Sequence, residues 1–375
     1  MLIRNAFAFI NNAFCPSTDI RLEQGVIIEI GTALQPAGNE KVLDADGRYV
    51  LPGFVDVHIH GCHGYDTMNG TADVQAMASA LIREGVAAFL PTTMTASIDQ
   101  TRYALSGIRD AMLIQKTDAS FILGAHMEGP FLSPDKCGAQ DPALLCPPSV
   151  DNFNACTRGM ADIVRVLTLA PELPGAEELT SFLCKKGICV SAGHTNATAE
   201  QTHHFVSLGL THVTHLFNAQ PSLHHRQPGV AGAALTDAHI CCEMICDGIH
   251  LHPDTVRLIC VAKGPCGALA ITDSMEAAGM PEGQYTLGGQ QVTVREGQAR
   301  LKDGTLAGSV LQMKTAFRNL LSWGIPPENA IQMCTSTPAD SIGVTDFGRI
   351  RVGNRGCLTL WDSEWNMIDV VIPGE

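Results

Sequence analysis

The middle of the chain alternates short apolar runs with amphipathic stretches. Eight apolar runs precede Ser274, and they include VDVHIHG, AAFLPTT, VRVLTLAPE and ALAITDS. Several are separated by stretches whose apolar residues recur every three or four positions, such as ADVQAMASALIREGV and AEELTSFLCKKG. That spacing is typical of an amphipathic helix. Strands that alternate with helices predict parallel βαβ units, and eight such units predict an α/β fold with a closed, TIM-like (β/α)8 barrel.

Both ends of the chain have a different pattern, in which short alternating runs are broken by Gly, Asn and Asp. The stretches FAFINN, DIRLEQGVIIEIG and KVLDADGRYV come first, and GRIRVGNRGCLTLWD and MIDVVIPGE come last. Such runs are typical of strands joined by turns. Because the termini of a chain often lie close together, we expect residues 1–50 and 345–375 to form one small β-sandwich domain. Residues 51–344 would then form the catalytic barrel.

Length, charge and cysteine content narrow the class of protein. The 375 residues exceed the roughly 250–300 at which a single core stops growing, which agrees with two domains. The net charge of -14 and the lack of a basic run disfavour nucleic-acid binding, which needs Lys and Arg. No apolar run reaches about 18 residues, so no membrane span is predicted. The 14 cysteines contain no CxxC pair, and we expect reduced thiols in a cytoplasmic protein.

Residues that can bind a metal occupy the carboxyl ends of the predicted barrel strands. Positions 58 and 60 point the same way, because side chains alternate along a strand. The carboxyl ends of all barrel strands meet on one face. Four imidazoles and two carboxylates there match a site for one or two divalent ions, with Zn²⁺ or Fe²⁺ expected. The six residues are His58, His60, Glu128, His194, His215 and Asp273.

The order of these residues is more specific than any one of them. A single His after a strand is more often an ordinary hydrogen-bonded loop residue than a ligand. The loop HHRQPG adds His225 and Arg226, and Arg is a natural bidentate partner of phosphate. That loop could equally be a solvated surface turn. An acidic protein that binds an anionic substrate needs such a local positive cluster.

These motifs resemble the amidohydrolase superfamily. Local sequence narrows the resemblance to the N-acetylglucosamine-6-phosphate deacetylases and their N-acetylgalactosamine-6-phosphate relatives. The motifs include LPGFVDVHIHG (51–61), HMEGPFLSPDKCGAQ (126–140), SAGHTNAT (191–198), THLFNAQPSLHHRQPGVAGAAL (214–235) and ITDSMEAAGMP (271–281). The resemblance covers essentially the whole chain. It implies a metal-dependent hydrolase that cuts the N-acetyl amide of an N-acetylhexosamine 6-phosphate and releases acetate.

The resemblance also implies roles for individual residues. Glu128, His194 and His215 match the metal ligands kept across the family, and the pair at positions 58 and 60 matches its two-metal members. Asp273 matches the catalytic acid/base, which also contacts the metal. A homodimer is implied, in which the Arg at position 226 reaches the neighbouring site. The residues implied to bind the sugar phosphate are Asn218, Ala219, Arg226 and His250, and His225 of the HHRQPG loop is expected to bind the phosphate beside them.

One position departs from the family pattern. The loop after Glu128 usually ends KGAH, whereas KCGAQ places Gln140 where a His contacts the substrate amide. Gln donates a hydrogen bond but cannot carry a positive charge. This leaves open a different amide substrate, or a catalytically weakened barrel that acts as a binding subunit. The sequence also leaves open the glucosamine or galactosamine epimer, the identity of the metal, and whether one or two ions bind.

Overall fold

The computed structural model describes residues 1–372, and a parallel barrel of eight strands lies at its centre. Neighbouring strands pair in parallel from the first through to the eighth. The predicted TIM-like barrel is therefore confirmed. The barrel strands, numbered first to eighth below, are Phe54–Ile59, Val86–Thr93, Ala125–Glu128, Val164–Leu169, Cys189–Ala192, Leu210–Val213, Cys241–Ile245 and Ala268–Ile271.

Backbone hydrogen bonds just beyond the eighth strand close the ring. The N–H of Asp273 donates to the carbonyl of His58 over 2.8 Å, and the N–H of His60 donates to the carbonyl of Ser274 over 2.9 Å. These bonds lie at the carboxyl ends of the first and eighth strands. Closure therefore places residues from the two ends of the barrel sequence side by side.

A helix follows each barrel strand, as the alternating pattern predicts. The helix from Ile98 begins with a capping box in which Ser97 and Gln100 each bond the other's backbone N–H, which satisfies donors at a helix start. No helix within residues 1–372 is both long and apolar enough to cross a membrane. The helices are Thr71–Leu81, Ile98–Leu113, Val150–Thr157, Ala176–Lys185, Ala199–Leu208, Gly229–Thr236, Pro253–Gly267, Met313–Ser322, Pro327–Cys334 and Ser336–Ser341.

The two ends of the chain build one hydrogen-bonded sheet of seven strands, which confirms a small terminal β domain. Its own apolar cluster includes Ile3, Ile20 and Leu358. The boundary at residue 50 stays a prediction, since one strand crosses it, and residues 373–375 lie outside the described residues. The strands are Leu2–Ile10, Ala13–Glu23, Val26–Gly31, Val42–Asp44, Tyr49–Pro52, Leu358–Trp361 and Met367–Val371.

A three-stranded antiparallel sheet follows the eighth barrel strand, and it was not predicted. Its strands are Gly283–Leu287, Gln290–Arg295 and Gln298–Leu301. Apolar side chains on one face of this sheet pack with Met94 and Met275. Two further short strands, Gly61–Cys62 and Tyr65–Asp66, pair with each other, and Phe121–Ile122 pairs with the second barrel strand. The three-stranded sheet forms one wall of the cavity described below.

Candidate metal centre and active site

The six candidate metal ligands lie together at the carboxyl end of the barrel. They fall into two groups of three, His58 with His60 and Asp273, and Glu128 with His194 and His215. Within each group the ligand atoms lie within 4.8 Å of one another. All six side chains are buried. Residues predicted from strand ends scattered across the sequence therefore share one small volume.

Glu128 lies between the two groups and contacts members of both. Its Oε1 is 3.0 Å from His215 Nε2 and 3.3 Å from His194 Nε2. Its Oε2 is 3.3 Å from His60 Nε2. A carboxylate in this position would be within reach of a cation held by either group.

Imidazole nitrogens face each other across both groups. His58 Nε2 and His60 Nε2 are 3.3 Å apart, and His194 Nε2 and His215 Nε2 are 3.2 Å apart. Two nitrogens bound at about 2.0–2.1 Å to a tetrahedral Zn²⁺ are themselves about 3.3 Å apart. The spacing and the donor types both fit a divalent cation in each group.

Hydrogen bonds at the opposite ring nitrogens orient three of these imidazoles. His60 Nδ1 lies 3.2 Å from the carbonyl of Thr92, and His194 Nδ1 lies 2.9 Å from the carbonyl of Lys136. His58 Nδ1 lies 3.0 Å from Glu243 Oε2. An Nδ1–H that donates to such an oxygen leaves the Nε2 lone pair free, which is the usual arrangement of a metal-binding His.

Three of the candidate ligands have left-handed backbone conformations. The φ angles are 48° at His194, 30° at His215 and 48° at Asp273. Each residue comes two positions after the end of its barrel strand. A non-glycine residue in this region costs of order 1–3 kcal/mol and persists where its surroundings fix it, often at functional sites. The backbone is therefore locally strained at three of the six candidate ligands.

Opposite charges within the cluster shift the pKa values of its members. Burial lowers the pKa of His58 and His60, but the Asp273 and Glu128 carboxylates outweigh burial and raise these pKa values to about 9 and about 10. Burial raises the pKa of Asp273, but the charges of the two imidazoles outweigh it and bring that pKa down to about 2. The imidazoles and carboxylates of the cluster therefore stabilise each other's charges, and the Asp273 carboxyl is ionised at neutral pH.

Two buried residues near the cluster were missed from the sequence. Glu243, on the seventh strand, contacts His58, and His126 stacks edge-on against His58 with ring centroids 4.5 Å apart. His126 Nε2 also lies 2.8 Å from Thr168 Oγ1. In the sequence, each appears as one polar side chain within an otherwise apolar strand. That pattern indicates a buried polar residue but does not show which residue it contacts.

A cavity of about 450 Å³ opens beside the cluster. Of the predicted substrate-binding residues, Gln140, Asn218, Ala219 and His250 line it. His225 and Arg226 do not line it, and both are exposed, with 2.8 Å between Arg226 Nη1 and His225 Nε2. The three-stranded sheet and the segment after it contribute lining residues that were not predicted, which are Leu287, Arg300, Thr305, Leu306 and Gly308.

Gln140 is held between two partners that fix the orientation of its amide. Its Oε1 accepts the backbone N–H of Thr95 over 2.7 Å. Its Nε2 donates to Glu128 Oε2 over 2.6 Å. The side chain is 3% exposed. The amide N–H therefore points into the candidate metal centre, whereas the amide oxygen points away from it.

Comparisons with known proteins agree with this architecture. The amidohydrolase family matches residues 49–374. The chain is 35% identical to the N-acetylglucosamine-6-phosphate deacetylase of Bacillus subtilis, over 100% of this chain and 96% of that protein. It is also 35% identical to the N-acetylgalactosamine-6-phosphate deacetylase of Escherichia coli O157:H7, over 95% and 93%.

Solved structures of similar proteins have the same fold. The N-acetylglucosamine-6-phosphate deacetylase of Pasteurella multocida is 28% identical, with a TM-score of 0.93 and coverage of 100% of this chain and 98% of that one. A mutant of the N-acetyl-D-glucosamine-6-phosphate deacetylase of Mycobacterium smegmatis, in complex with N-acetyl-D-glucosamine-6-phosphate, is 30% identical, with a TM-score of 0.92 and coverage of 100% and 98%.

Proposed function

This chain belongs to the amidohydrolase family, among the N-acetylglucosamine- and N-acetylgalactosamine-6-phosphate deacetylases, and from that premise we propose its reaction. It hydrolyses the N-acetyl amide of an N-acetylhexosamine 6-phosphate to the amino-sugar 6-phosphate and acetate. The observation that carries this proposal is the buried cluster of four imidazoles and two carboxylates beside the cavity. The enzyme is thus a hydrolase of a linear amide C–N bond.

The reaction is metal-dependent, and the donor set supports one or two ions, with Zn²⁺ or Fe²⁺ proposed. His58, His60 and Asp273 would hold one ion, and Glu128, His194 and His215 the other. When bound, such an ion lowers the pKa of water from about 15.7 towards about 7 and polarises a carbonyl oxygen. Nitrogen and carboxylate ligands without thiolates suit either metal.

Asp273 is proposed as the general base and then the general acid. Its Oδ1 lies 3.1 Å from His60 Nε2, at the edge of the cavity. Because its pKa is lowered, Asp273 is ionised at neutral pH, which is the form in which a carboxylate can take a proton from the attacking water. The same group then delivers a proton to the departing amine, since an amine leaves poorly as an anion.

The residues around the cavity suit the rest of an N-acetylhexosamine 6-phosphate. A volume of about 450 Å³ lies in the usual range for small-molecule sites. The Gln140 amide has two N–H donors; one bonds Glu128 Oε2, and the other is proposed to bind the amide oxygen of the substrate. His250 bonds Asp247 Oδ2 through Nδ1 over 2.6 Å, which leaves Nε2 available for the phosphate. Asn218 and Ala219 line the same cavity and complete the proposed contacts.

Positive charge for the phosphate is proposed to come from two arginines. Arg300 lines the cavity, and its guanidinium donates to the oxygens of Gln298 and Gly304. Within residues 1–372 it forms no ion pair with a carboxylate, so its charge is available to an anion. Arg226 is exposed and lies outside its own cavity, which fits a homodimer in which it reaches the neighbouring site together with His225.

The 14 free thiols favour a cytoplasmic location.

The direct test is acetate release from both epimers. N-acetylglucosamine 6-phosphate and N-acetylgalactosamine 6-phosphate would each be incubated with the enzyme loaded with Zn²⁺, Fe²⁺ or Mn²⁺. We expect at least one epimer to give acetate and free amine in equal amounts. Failure of both epimers with every metal would favour the alternatives, a different amide substrate or a binding subunit.

A further inference from the structure

Glu243 is a buried carboxylate that lies outside the six candidate ligands and contacts two of them. It sits on the seventh barrel strand and is 0% exposed. Its Oε2 lies 3.0 Å from His58 Nδ1 and accepts the backbone N–H of His215 over 3.2 Å. One carboxylate oxygen therefore contacts a member of each candidate metal group.

The Glu243 carboxylate forms one ion pair among the described residues. Within residues 1–372 its only ion-pair partner is His58. Burying a carboxylate is unfavourable unless it is paired and hydrogen-bonded. A neutral residue would fill this position on an apolar strand without that cost. The charge of this carboxylate is therefore explained by its contact with His58, since the backbone N–H of His215 needs only a neutral acceptor.

The contact decides which nitrogen of His58 faces the candidate metal centre. A carboxylate at Nδ1 favours the tautomer in which Nδ1 carries the proton. The lone pair of His58 Nε2 then faces the candidate metal centre, where Glu128 Oε1 lies 3.4 Å and Asp273 Oδ1 3.3 Å from this nitrogen. A carboxylate that bonds a ligating His in this way fixes the ring and makes its nitrogen a stronger ligand.

We infer that Glu243 is a positioning residue for the ion held by His58, His60 and Asp273. The inference rests on the proposed metal-dependent function. Glu243 acts through His58 and does not line the cavity, so it is not a catalytic residue. Glu243 also accepts a hydrogen bond from the backbone of His215, so it contacts one member of each candidate metal group.

The test replaces the carboxylate without changing its shape. Glu243→Gln keeps the volume and one oxygen acceptor but removes the charge that favours Nδ1–H. Binding of Zn²⁺ would be measured at metal-buffered free concentrations, with the bound ions counted by mass spectrometry. We expect an affinity loss of about tenfold or more for one ion per chain. The other ion should remain bound with its wild-type affinity.

A matched control is available at Glu84. This buried carboxylate lies 2.7 Å from His63 Nε2 and is 7% exposed, so it forms a similar pair. Within residues 1–372 it makes no hydrogen bond to any of the six candidate ligands. Glu84→Gln should therefore leave the affinity for both ions unchanged. An equal loss in both variants would overturn the inference, because it would reflect the removal of any buried carboxylate.

The remaining outcomes separate this inference from the proposed function. Unchanged ion affinity in Glu243→Gln overturns the positioning role but leaves the proposed function standing. The same conclusion applies whether the wild type binds one ion or two. A wild-type protein that binds no ion overturns the proposed function itself. If Glu243→Gln does not fold, Glu243→Asp provides the same readout, since its carboxylate is one methylene shorter and withdraws from His58.

Discussion

Asp273 is joined to His58 through both its backbone and its side chain. Its N–H donates to the carbonyl of His58 over 2.8 Å, and its Oδ1 lies 3.3 Å from His58 Nε2. The first of these bonds also closes the barrel. The proposed acid/base is thus fixed beside a candidate ligand by the fold itself, although the two residues lie at opposite ends of the barrel sequence.

Asp273→Asn should abolish most turnover without releasing all metal. The amide cannot take the proton of the attacking water, and general acid–base catalysis is worth about 10²–10⁴-fold. The ion held by Glu128, His194 and His215 should remain. Acetate release and metal content would be measured on the same preparation, beside Asp254→Asn, an exposed control. Turnover close to that of the wild type would remove Asp273 from the mechanism.

Gln140→Ala should lower the rate constant for turnover by about 10²-fold, the usual cost of losing one donor to a developing oxyanion. Gln140→His should turn over faster than the Ala variant, because an imidazole also donates a hydrogen bond. Both variants would be assayed against both epimers. A rate and an epimer preference unchanged from wild type in both variants would show that Gln140 neither activates the amide nor sets specificity.

Arg300→Gln should weaken binding of the phosphorylated substrate selectively. Loss of a charge-assisted hydrogen bond worth about 1.5–3 kcal/mol corresponds to a rise in KM of about tenfold or more. The unphosphorylated N-acetylhexosamine should be affected little. Arg295, on the same sheet, is the matched control, since its side chain is 78% exposed. Equal effects of Arg300→Gln on both substrates would exclude a phosphate contact.

Arg226→Ala and Asp273→Asn should complement each other when co-expressed. Each variant alone is expected to be nearly inactive. In a mixed dimer, the Arg226→Ala chain retains Asp273 and receives Arg226 from its Asp273→Asn partner, which rebuilds one complete site. Activity of purified mixed dimers, isolated with two affinity tags, would be compared with each parent. No recovery in mixed dimers would place Arg226 in its own site or outside any site.

The barrel and most of the candidate site could be predicted from local pattern. Parallel barrel strands are buried on both faces and read as apolar runs, and the reactive residues follow them at strand ends, as His194 does. Glu243 could not be predicted, because its partner His58 is 185 residues away in sequence. The short three-stranded sheet that carries Arg300 has few buried positions. Its alternation of apolar and polar residues is therefore too weak to predict the strands.

The central claim is that the six clustered side chains hold divalent ions on which amide hydrolysis depends. The most direct measurement is acetate release by the enzyme before metal removal with a chelator, after removal, and after stepwise return of Zn²⁺ or Fe²⁺. We predict at least about 10²-fold loss without metal, in line with the several kcal/mol a catalytic ion supplies, and recovery as one to two ions bind per chain. Full activity in protein shown to be metal-free would contradict the account.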